Sequence, residues 1–266
     1  MIIDQLSNAQ LLVKQQTAAG MIKVFENSLF RWLCLEDEQA IQSCMSKSQP
    51  AKLILPYQKF MMMWQLLSLD SVPMKACLLG LGGGDLIRYL QQYFPKIKLL
   101  AVEKEPQMAK LATEYFQIKP DQKHLTLEMA DAEEFIKKTA KHDLLFIDIV
   151  ANNVLPDFLS EISFWRDCHS LLNQNGIMVV NVIPSSENEF LTLLQMLRET
   201  FGHLPLCMGV PDHKNIVLLV PLAGESIPSL DELKRRSVEL QKRSELPYGQ
   251  CVEVLERDNK WGSDSN

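Results

Sequence analysis

The chain lacks the cysteine and histidine patterns that hold metal ions or carry redox chemistry. Its six cysteines lie far apart among 266 residues, with no Cys-x-x-Cys pair, and its five histidines are equally scattered. Zinc sites and redox motifs need such side chains at close, regular spacing. We therefore expect reduced, mostly buried cysteines and no bound metal.

The sequence also lacks a long apolar run, a basic leader and an excess of positive charge. No apolar stretch approaches the roughly 18 residues that a membrane-spanning helix needs. Residues 1–4 carry no basic region ahead of an apolar block, which a secretory signal would show. A net charge of -6 provides no basic surface for a phosphate backbone. These absences favour a cytoplasmic protein that binds neither membrane nor nucleic acid.

The most informative segment that is present is a glycine-rich loop between an apolar strand and a helix. Residues 78–85 read Leu-Leu-Gly-Leu-Gly-Gly-Gly-Asp, and Glu103 ends the next apolar segment about twenty residues later. Glycines let the backbone approach a ligand closely, and a carboxylate at that interval can accept hydrogen bonds from both ribose hydroxyls. The pattern predicts a nucleoside site. The alternative is a tight packing turn with Glu103 as a solvated strand end.

Regular alternation of apolar strands and amphipathic helices follows Pro73. This is the pattern of an α/β fold with a doubly wound, mostly parallel sheet, in which ligands lie at the carboxyl ends of the strands. We predict strands near residues 75–81, 97–103, 125–129, 144–148, 177–182 and 216–220. The expected units are a small N-terminal β-strand domain with a connecting helix, a nucleoside-binding α/β domain, and a C-terminal helix with a polar tail, at residues 1–72, 73–224 and 225–266.

Residues 24–222 resemble the polyamine aminopropyltransferases, the spermidine synthase family. The family's Gly-Gly-Gly-Asp loop matches Gly82, Gly83, Gly84 and Asp85, its strand-end Glu matches Glu103, and its Tyr-Gln pair resembles Tyr57-Gln58. Its Asp-Gly near the adenine resembles Asp131-Ala132, and its proton-accepting Asp falls on Asp148. The resemblance implies a methyltransferase-type domain behind a small N-terminal β-domain, and the possibility that two copies pair through the N-terminal strands.

The same resemblance implies which residues would touch which ligand. Decarboxylated S-adenosylmethionine would be the donor, bound by Gln58, the glycines, Asp85, Glu103, Asp131 and Ala132. A small-molecule amine would be the acceptor, bound by Tyr57 and Asp148, with Asp148 orienting the amine and then receiving its proton. An Asp at position 85 suits the ammonium of this donor and would repel the carboxylate of S-adenosylmethionine.

The chain departs from the family mainly where the acceptor would bind. The second Asp of the family's Asp-x-x-Asp motif falls on Ala151, an early Gln on Gly20 and a late Tyr on Pro211. Losing one charge-assisted hydrogen bond would weaken the binding of an ammonium about tenfold to a hundredfold, so putrescine is not expected to be the best acceptor. Leu86 replaces a Gly after the loop Asp and should crowd the pocket floor.

Three functions therefore stay open at this stage. The first is an aminopropyltransferase-like enzyme, the second an S-adenosylmethionine-dependent small-molecule methyltransferase on the same scaffold, and the third a non-catalytic relative that binds a nucleoside or a partner. The acids also have structural alternatives: Asp85 as a helix N-cap, Asp131 as a helix cap in a capping box, and Asp148 as the cap of a turn. Tyr57 could be a core residue and Gln58 a surface one.

Overall fold

The computed structural model describes residues 6–18, 20–37, 40–68, 72–120, 124–138, 140–149, 156–224 and 227–259. Within these ranges, eleven strands form two sheets, one of four strands and one of seven. Ala151 lies outside the described residues.

The smaller sheet is antiparallel and follows the order of the chain. Its strands are β1 Gln10–Thr17, β2 Gly20–Glu26, β3 Phe30–Leu35 and β4 Ile41–Ser46. The alternation of apolar and polar residues between Met21 and Met45 predicts short strands, and β2, β3 and β4 confirm them. Strand β1 precedes them with a largely polar sequence that gives little signal. Apolar side chains on one face of this sheet pack against Met108, Leu111 and Phe116. These three residues belong to a helix that covers the larger sheet, or directly follow it. This packing places the small sheet beside the larger one.

Two short helices connect the sheets. Helix α1 spans Pro56–Met61 and α2 spans Trp64–Leu67, with Pro56 at the first position of α1, where a missing N–H costs no hydrogen bond. The spacing of Met, Leu and Trp in this segment predicts a buried helix face. Residues 60–64 are all buried, which confirms that the Met-rich run is a core segment. Tyr57 and Gln58 lie in the first turn of α1.

The larger sheet confirms the predicted α/β fold. Its strands are β5 Lys75–Leu79, β6 Lys98–Glu103, β7 Leu125–Met129, β8 His142–Ile147, β9 Leu172–Val182, β10 Leu206–Gly209 and β11 Ile216–Pro221, in the order β10-β11-β9-β8-β5-β6-β7. Strand β11 is antiparallel to both of its neighbours, whereas β5 to β9 run parallel. The strand order reverses at β5, so the loops after β5, β6 and β8 open on one crevice at the carboxyl edge, where such sheets bind ligands.

Helices cover both faces of this sheet. They are α3 Asp85–Tyr93, α4 Pro106–Tyr115, α5 Ala132–Phe135, α6 Ile162–Ser170, α7 Glu187–Phe201, α8 Leu230–Gln241 and α9 Tyr248–Asp258. Each face of the sheet therefore has its own apolar core, and the side chains of β5 alternate between the two. Ala76 and Leu78 lie in one apolar cluster, and Cys77 and Leu79 lie in the other. Among the described helices, none has both the length and the apolar character that crossing a membrane requires.

The polar sequence of residues 258–266 predicts a frayed C-terminal tail. Helix α9 was not predicted, and it ends at Asp258. Cys251, Val252 and Leu255 of α9 are buried. The Asp258 carboxylate accepts a hydrogen bond of 2.8 Å from the backbone N–H of Gly209 in β10. The expectation of a frayed tail is therefore wrong at Asp258, because this residue ties α9 to the edge of the sheet. Residues 260–266 lie outside the described chain.

Candidate active site

A cavity of about 580 Å³ opens at the carboxyl edge of the larger sheet. Its volume lies within the range of small-molecule sites. The wall includes nine of the ten predicted site residues: Tyr57, Gln58, Gly82, Gly84, Asp85, Glu103, Asp131, Ala132 and Asp148. The other lining residues include Ala18, Leu35, Gln42 and Ser43, which come from the smaller sheet and its turns. The fold thus brings together residues that are up to ninety positions apart in the sequence, since strand ends from both halves of the sheet meet here.

Gly83 is the predicted residue that does not line the cavity. Its backbone N–H donates a hydrogen bond of 2.6 Å to Ser43 Oγ in β4. This bond fastens the glycine loop to the smaller sheet. A Cβ on Gly83 would lie 2.7 Å from Ser43 Cβ, so the close contact requires glycine.

The glycine loop also depends on a residue before the predicted motif. Gly80 has a φ of +95° and follows directly on β5. A Cβ at this position would lie 2.3 Å from the carbonyl oxygen of Asp148. The ends of β5 and β8 can therefore approach each other only with glycine at position 80, and that approach brings Asp148 beside the loop.

Glu103 ends β6 with its carboxylate turned toward the glycine loop. Its Oε2 accepts a hydrogen bond of 3.1 Å from the backbone N–H of Leu81, and its Oε1 accepts one of 2.9 Å from that of Glu105. Burial raises the pKa of Glu103 above its ordinary value, although these backbone hydrogen bonds act in the opposite direction. The carboxylate is thus held in the cavity wall with lone pairs left for further donors.

Asp85 is the first residue of α3 and is only 5% exposed. It forms an ion pair with Arg88, one turn further along the helix, through its Oδ1 atom. Its Oδ2 accepts hydrogen bonds of 2.8 Å from Gln58 Nε2 and 3.2 Å from the backbone N–H of Cys44. Gly84, not Asp85, occupies the N-cap position of α3, so the interpretation of Asp85 as a helix cap is wrong.

Arg88 contacts Asp85 but was not predicted from the sequence as a residue of this site. It is 7% exposed, and its Nε donates to the carbonyl of Pro50 at 2.8 Å. Its Nη1 donates to the carbonyls of Phe116, at 2.8 Å, and Gly83. The spacing of three residues from Asp85 on a helix was the available signal, because side chains at that spacing share a face.

Gln58 carries a buried oxygen without a hydrogen-bond partner among the described residues. The side chain is 2% exposed, and Oε1 is the unpaired atom. Because an ionised carboxylate only accepts hydrogen bonds, the Nε2 group of Gln58 must face Asp85, and Oε1 must point elsewhere. An unpaired buried acceptor is costly to the fold. Gln58 is therefore not the surface residue of the structural alternative.

Asp148 follows β8 and is held by two donors. Tyr57 donates its hydroxyl to Oδ2 at 3.2 Å, and Asn181 Nδ2 donates to Oδ1 at 2.8 Å. Asn181 in turn accepts a hydrogen bond of 2.9 Å from Asn215 Nδ2, which fixes the orientation of its amide. Burial raises the pKa of Asp148 to about 6, although both side-chain hydrogen bonds lower it. The carboxylate is therefore a stronger base than an ordinary Asp.

Asn181 is a second residue that the sequence reading missed. It is 1% exposed and interrupts the apolar run of β9 from Met178 to Val182. A lone amide inside a buried apolar strand was the signal, because burying a polar side chain is costly unless it has a partner.

Asp131 lies at the rim and caps helix α5. Its Oδ1 accepts a hydrogen bond of 2.9 Å from the backbone N–H of Glu133, and its Oδ2 lies 3.8 Å from Lys104 Nζ. The interpretation of Asp131 as a helix cap is therefore confirmed, through the backbone N–H of Glu133. The capping box with Glu134 stays a prediction. Asp131 and the adjoining Ala132 still line the cavity.

Of the described positions that depart from the family pattern, Leu86 lines the cavity, whereas Gly20 and Pro211 do not. Leu86 is buried and lines the cavity, which stays open beside it. Gly20 begins β2, and Pro211 lies in the turn between β10 and β11; neither is part of the cavity wall. Within the described residues, no group of three or more His, Cys, Asp or Glu side chains is arranged to hold a metal ion.

Sequence comparison supports the predicted resemblance. No protein-family model matches the chain. A polyamine aminopropyltransferase of Neisseria meningitidis serogroup A is 28% identical over 220 residues, covering 82% of this chain and 83% of the relative. One from Chromobacterium violaceum is 26% identical over 240 residues, covering 90% of each. An eEF1A lysine and N-terminal methyltransferase of Xenopus laevis is 26% identical over 180 residues, which are 64% of this chain and 26% of that protein.

Structural comparison gives the same fold. A probable spermidine synthase from Corynebacterium glutamicum aligns with a TM-score of 0.71 at 17% identity, covering 96% of this chain and 98% of that one. Human methyltransferase-like protein 13, in complex with SAH, aligns with a TM-score of 0.63 at 22% identity, covering 80% and 97%. The chain therefore has the fold that these transferases share, and its sequence relatives over most of its length are named polyamine aminopropyltransferases.

Proposed function

We propose that this chain, a relative of the polyamine aminopropyltransferases, transfers an aminopropyl group from decarboxylated S-adenosylmethionine to an amine other than plain putrescine. The observation that carries the proposal is Asp148: an acid with a pKa raised to about 6 shares one cavity with the glycine loop and Glu103. This reaction needs a proton acceptor and a nucleoside-binding site in the same cavity.

The nucleoside part of the donor would lie between the glycine loop and the end of β6. Glu103 would accept hydrogen bonds from the ribose hydroxyls, and Asp131 with Ala132 would contact the adenine at the rim. Gln58 would also contact the donor, because its side chain lines the same cavity. In this arrangement residues 73–224 carry the nucleoside site, and residues 1–72 contribute its covering wall.

The acceptor amine would bind against Tyr57 and Asp148. Its nitrogen attacks the methylene carbon next to the sulfonium, a C–N bond forms, and the C–S bond breaks with its electron pair moving to sulfur. The products are the aminopropylated amine and neutral methylthioadenosine. Asp148 would orient the lone pair and receive the proton that the new ammonium releases, and then pass it to water. Asn181 and Tyr57 hold the carboxylate in place for this step.

The test is to incubate the full chain with decarboxylated S-adenosylmethionine and a panel of primary amines, and to measure methylthioadenosine by chromatography. We expect release that depends on the amine, with putrescine a poor acceptor. Asp148→Asn should reduce the rate by about a hundredfold, whereas Asp212→Asn, in the β10–β11 turn outside the cavity wall, should leave it unchanged. Binding of methylthioadenosine without turnover of any amine would contradict the proposal.

Methyl transfer from S-adenosylmethionine is the second candidate. Two observations favour it: the methyltransferases among the relatives and structural neighbours, and the ion pair between Asp85 and Arg88. That pair offsets the charge that was expected to repel the carboxylate of S-adenosylmethionine. Formation of S-adenosylhomocysteine from S-adenosylmethionine and an amine, without aminopropyl transfer, would favour this candidate over the first.

A further inference from the structure

We propose that Arg88, acting through Asp85, determines which ligand tail the cavity accepts, where the tail is the chain attached to the sulfonium sulfur. The cavity then admits the zwitterionic amino-acid tail of S-adenosylmethionine as well as the cationic aminopropyl tail of the decarboxylated donor. This inference rests on the proposed function, because it concerns the tail of the same nucleoside ligand. Arg88 itself is not part of the cavity wall. It is a specificity-determining residue that acts on the ligand only through the carboxylate it pairs with.

The first step of the argument is where Asp85 lies. Asp85 lines the cavity and is hydrogen-bonded to Gln58, whose Nε2 lies 3.4 Å from the hydroxyl of Tyr57. Tyr57 in turn donates to Asp148. These four side chains form one row from the glycine loop to the proposed reaction centre. The tail of a nucleoside whose ribose contacts Glu103 would extend along this row.

The second step is that the guanidinium of Arg88 is fixed beside Asp85. Its Nη2 pairs with Asp85 Oδ1, and its other donors reach carbonyls of three separate segments, at Pro50, Gly83 and Phe116. An arginine stays protonated in proteins. Because four contacts hold it, Arg88 cannot swing away when a ligand binds without breaking buried hydrogen bonds.

The third step is the charge that a ligand meets. A carboxylate and a guanidinium in direct contact have no net charge, so the attraction for an ammonium and the repulsion of a carboxylate both weaken. Asp85 Oδ2 is also occupied, by Gln58 and by the backbone N–H of Cys44. Asp85 therefore offers a tail little unpaired charge. The expectation that Asp85 selects the decarboxylated donor loses its physical basis once Arg88 is seen.

The experiment is a calorimetric titration of the full chain with decarboxylated S-adenosylmethionine, S-adenosylmethionine and methylthioadenosine. We expect the first two to bind the wild-type protein with affinities within about tenfold of each other. Arg88→Gln removes the cation and should raise the preference for the decarboxylated donor by about tenfold or more. Arg88→Lys is the matched control, which keeps the charge and should keep the wild-type ratio. Methylthioadenosine has no charged tail, so its affinity reports any general damage to the cavity.

The outcomes separate this inference from the proposed function. If methylthioadenosine binds but the wild-type protein binds S-adenosylmethionine more than about tenfold more weakly than the decarboxylated donor, the inference is wrong and the proposed function stands. The same follows if Arg88→Gln leaves the ratio unchanged, or if Arg88→Lys shifts it equally. If Arg88→Gln does not fold, the wild-type ratio alone decides. If none of the three ligands binds the wild-type protein, both proposals fall.

Discussion

Replacing Asp148 with Asn should stabilise the folded protein at neutral pH while it removes the proposed proton acceptor. Burial raises the pKa of Asp148 from 3.8 to about 6, so the ionised carboxylate is less favourable in the folded than in the unfolded chain. About two pKa units at about 1.4 kcal/mol each give an upper bound of about 3 kcal/mol. Water in the open cavity screens part of this cost, and we expect a gain of about 1 to 2 kcal/mol.

The direction of the pH dependence follows from the raised pKa in the folded state. The contribution of Asp148 to wild-type stability is fully present below the unfolded pKa of 3.8 and is lost as the pH rises through about 6. The amide that Asp148→Asn introduces is uncharged throughout, and it can accept from Asn181 and donate to the oxygen of Tyr57. The advantage of the variant should therefore be complete above about pH 7 and vanish near pH 4.

Urea denaturation followed by circular dichroism at about pH 8 and about pH 4 measures this difference. Asp143→Asn is the matched control on the same strand. Burial raises the pKa of Asp143. Hydrogen bonds from Asn173 and from the backbone N–H groups of Met74 and Lys75 together lower the pKa by more than burial raises it, so the pKa lies below its ordinary value. That carboxylate stabilises the fold when ionised, and its replacement should destabilise the protein at about pH 8. A variant Asp148→Asn that is no more stable than wild type at that pH, or whose advantage does not change with pH, would refute the reasoning.

Three further predictions concern the same cavity. In the proposed reaction, the slope of log(kcat/KM) against pH should increase by one below about pH 6, because Asp148 must be ionised to accept a proton. A slope that does not change down to about pH 5 would contradict this role. Glu103→Gln should weaken methylthioadenosine binding about tenfold in calorimetry, because an acceptor becomes a donor; equal affinity would mean that Glu103 does not contact the ligand. Gly80→Ala should destabilise the protein by more than about 3 kcal/mol in urea denaturation, since its Cβ would lie 2.3 Å from the Asp148 carbonyl oxygen. Gly202→Ala, also at positive φ but with nothing within 4 Å, should cost about 1 kcal/mol, and similar losses at both positions would contradict the steric argument.

Local sequence patterns were sufficient for the fold class and for the strand-end residues of the cavity wall. Apolar strands, glycine turns and strand-end acids are signals contained within a few consecutive residues. Once the strands are parallel, their carboxyl ends must share one edge of the sheet. For this reason the sequence assigns Glu103 and Asp148 to one cleft, and the cavity contains both. Helix α9 was missed because its buried face is short and mixed with charged residues.

The sequence by itself thus determined the fold class and the edge of the larger sheet at which the candidate site lies. Only the tertiary structure decided the charge and basicity of that site. The spacing of Asp85 and Arg88 permits their ion pair, but only the structure shows that the pair forms. The contacts of Asn181 with Asp148 and of Ser43 with Gly83 join segments that are distant in the chain. The physical reason is that a pKa or a net charge responds to burial and to partners a few ångströms away, and these partners come from segments that are distant in the chain.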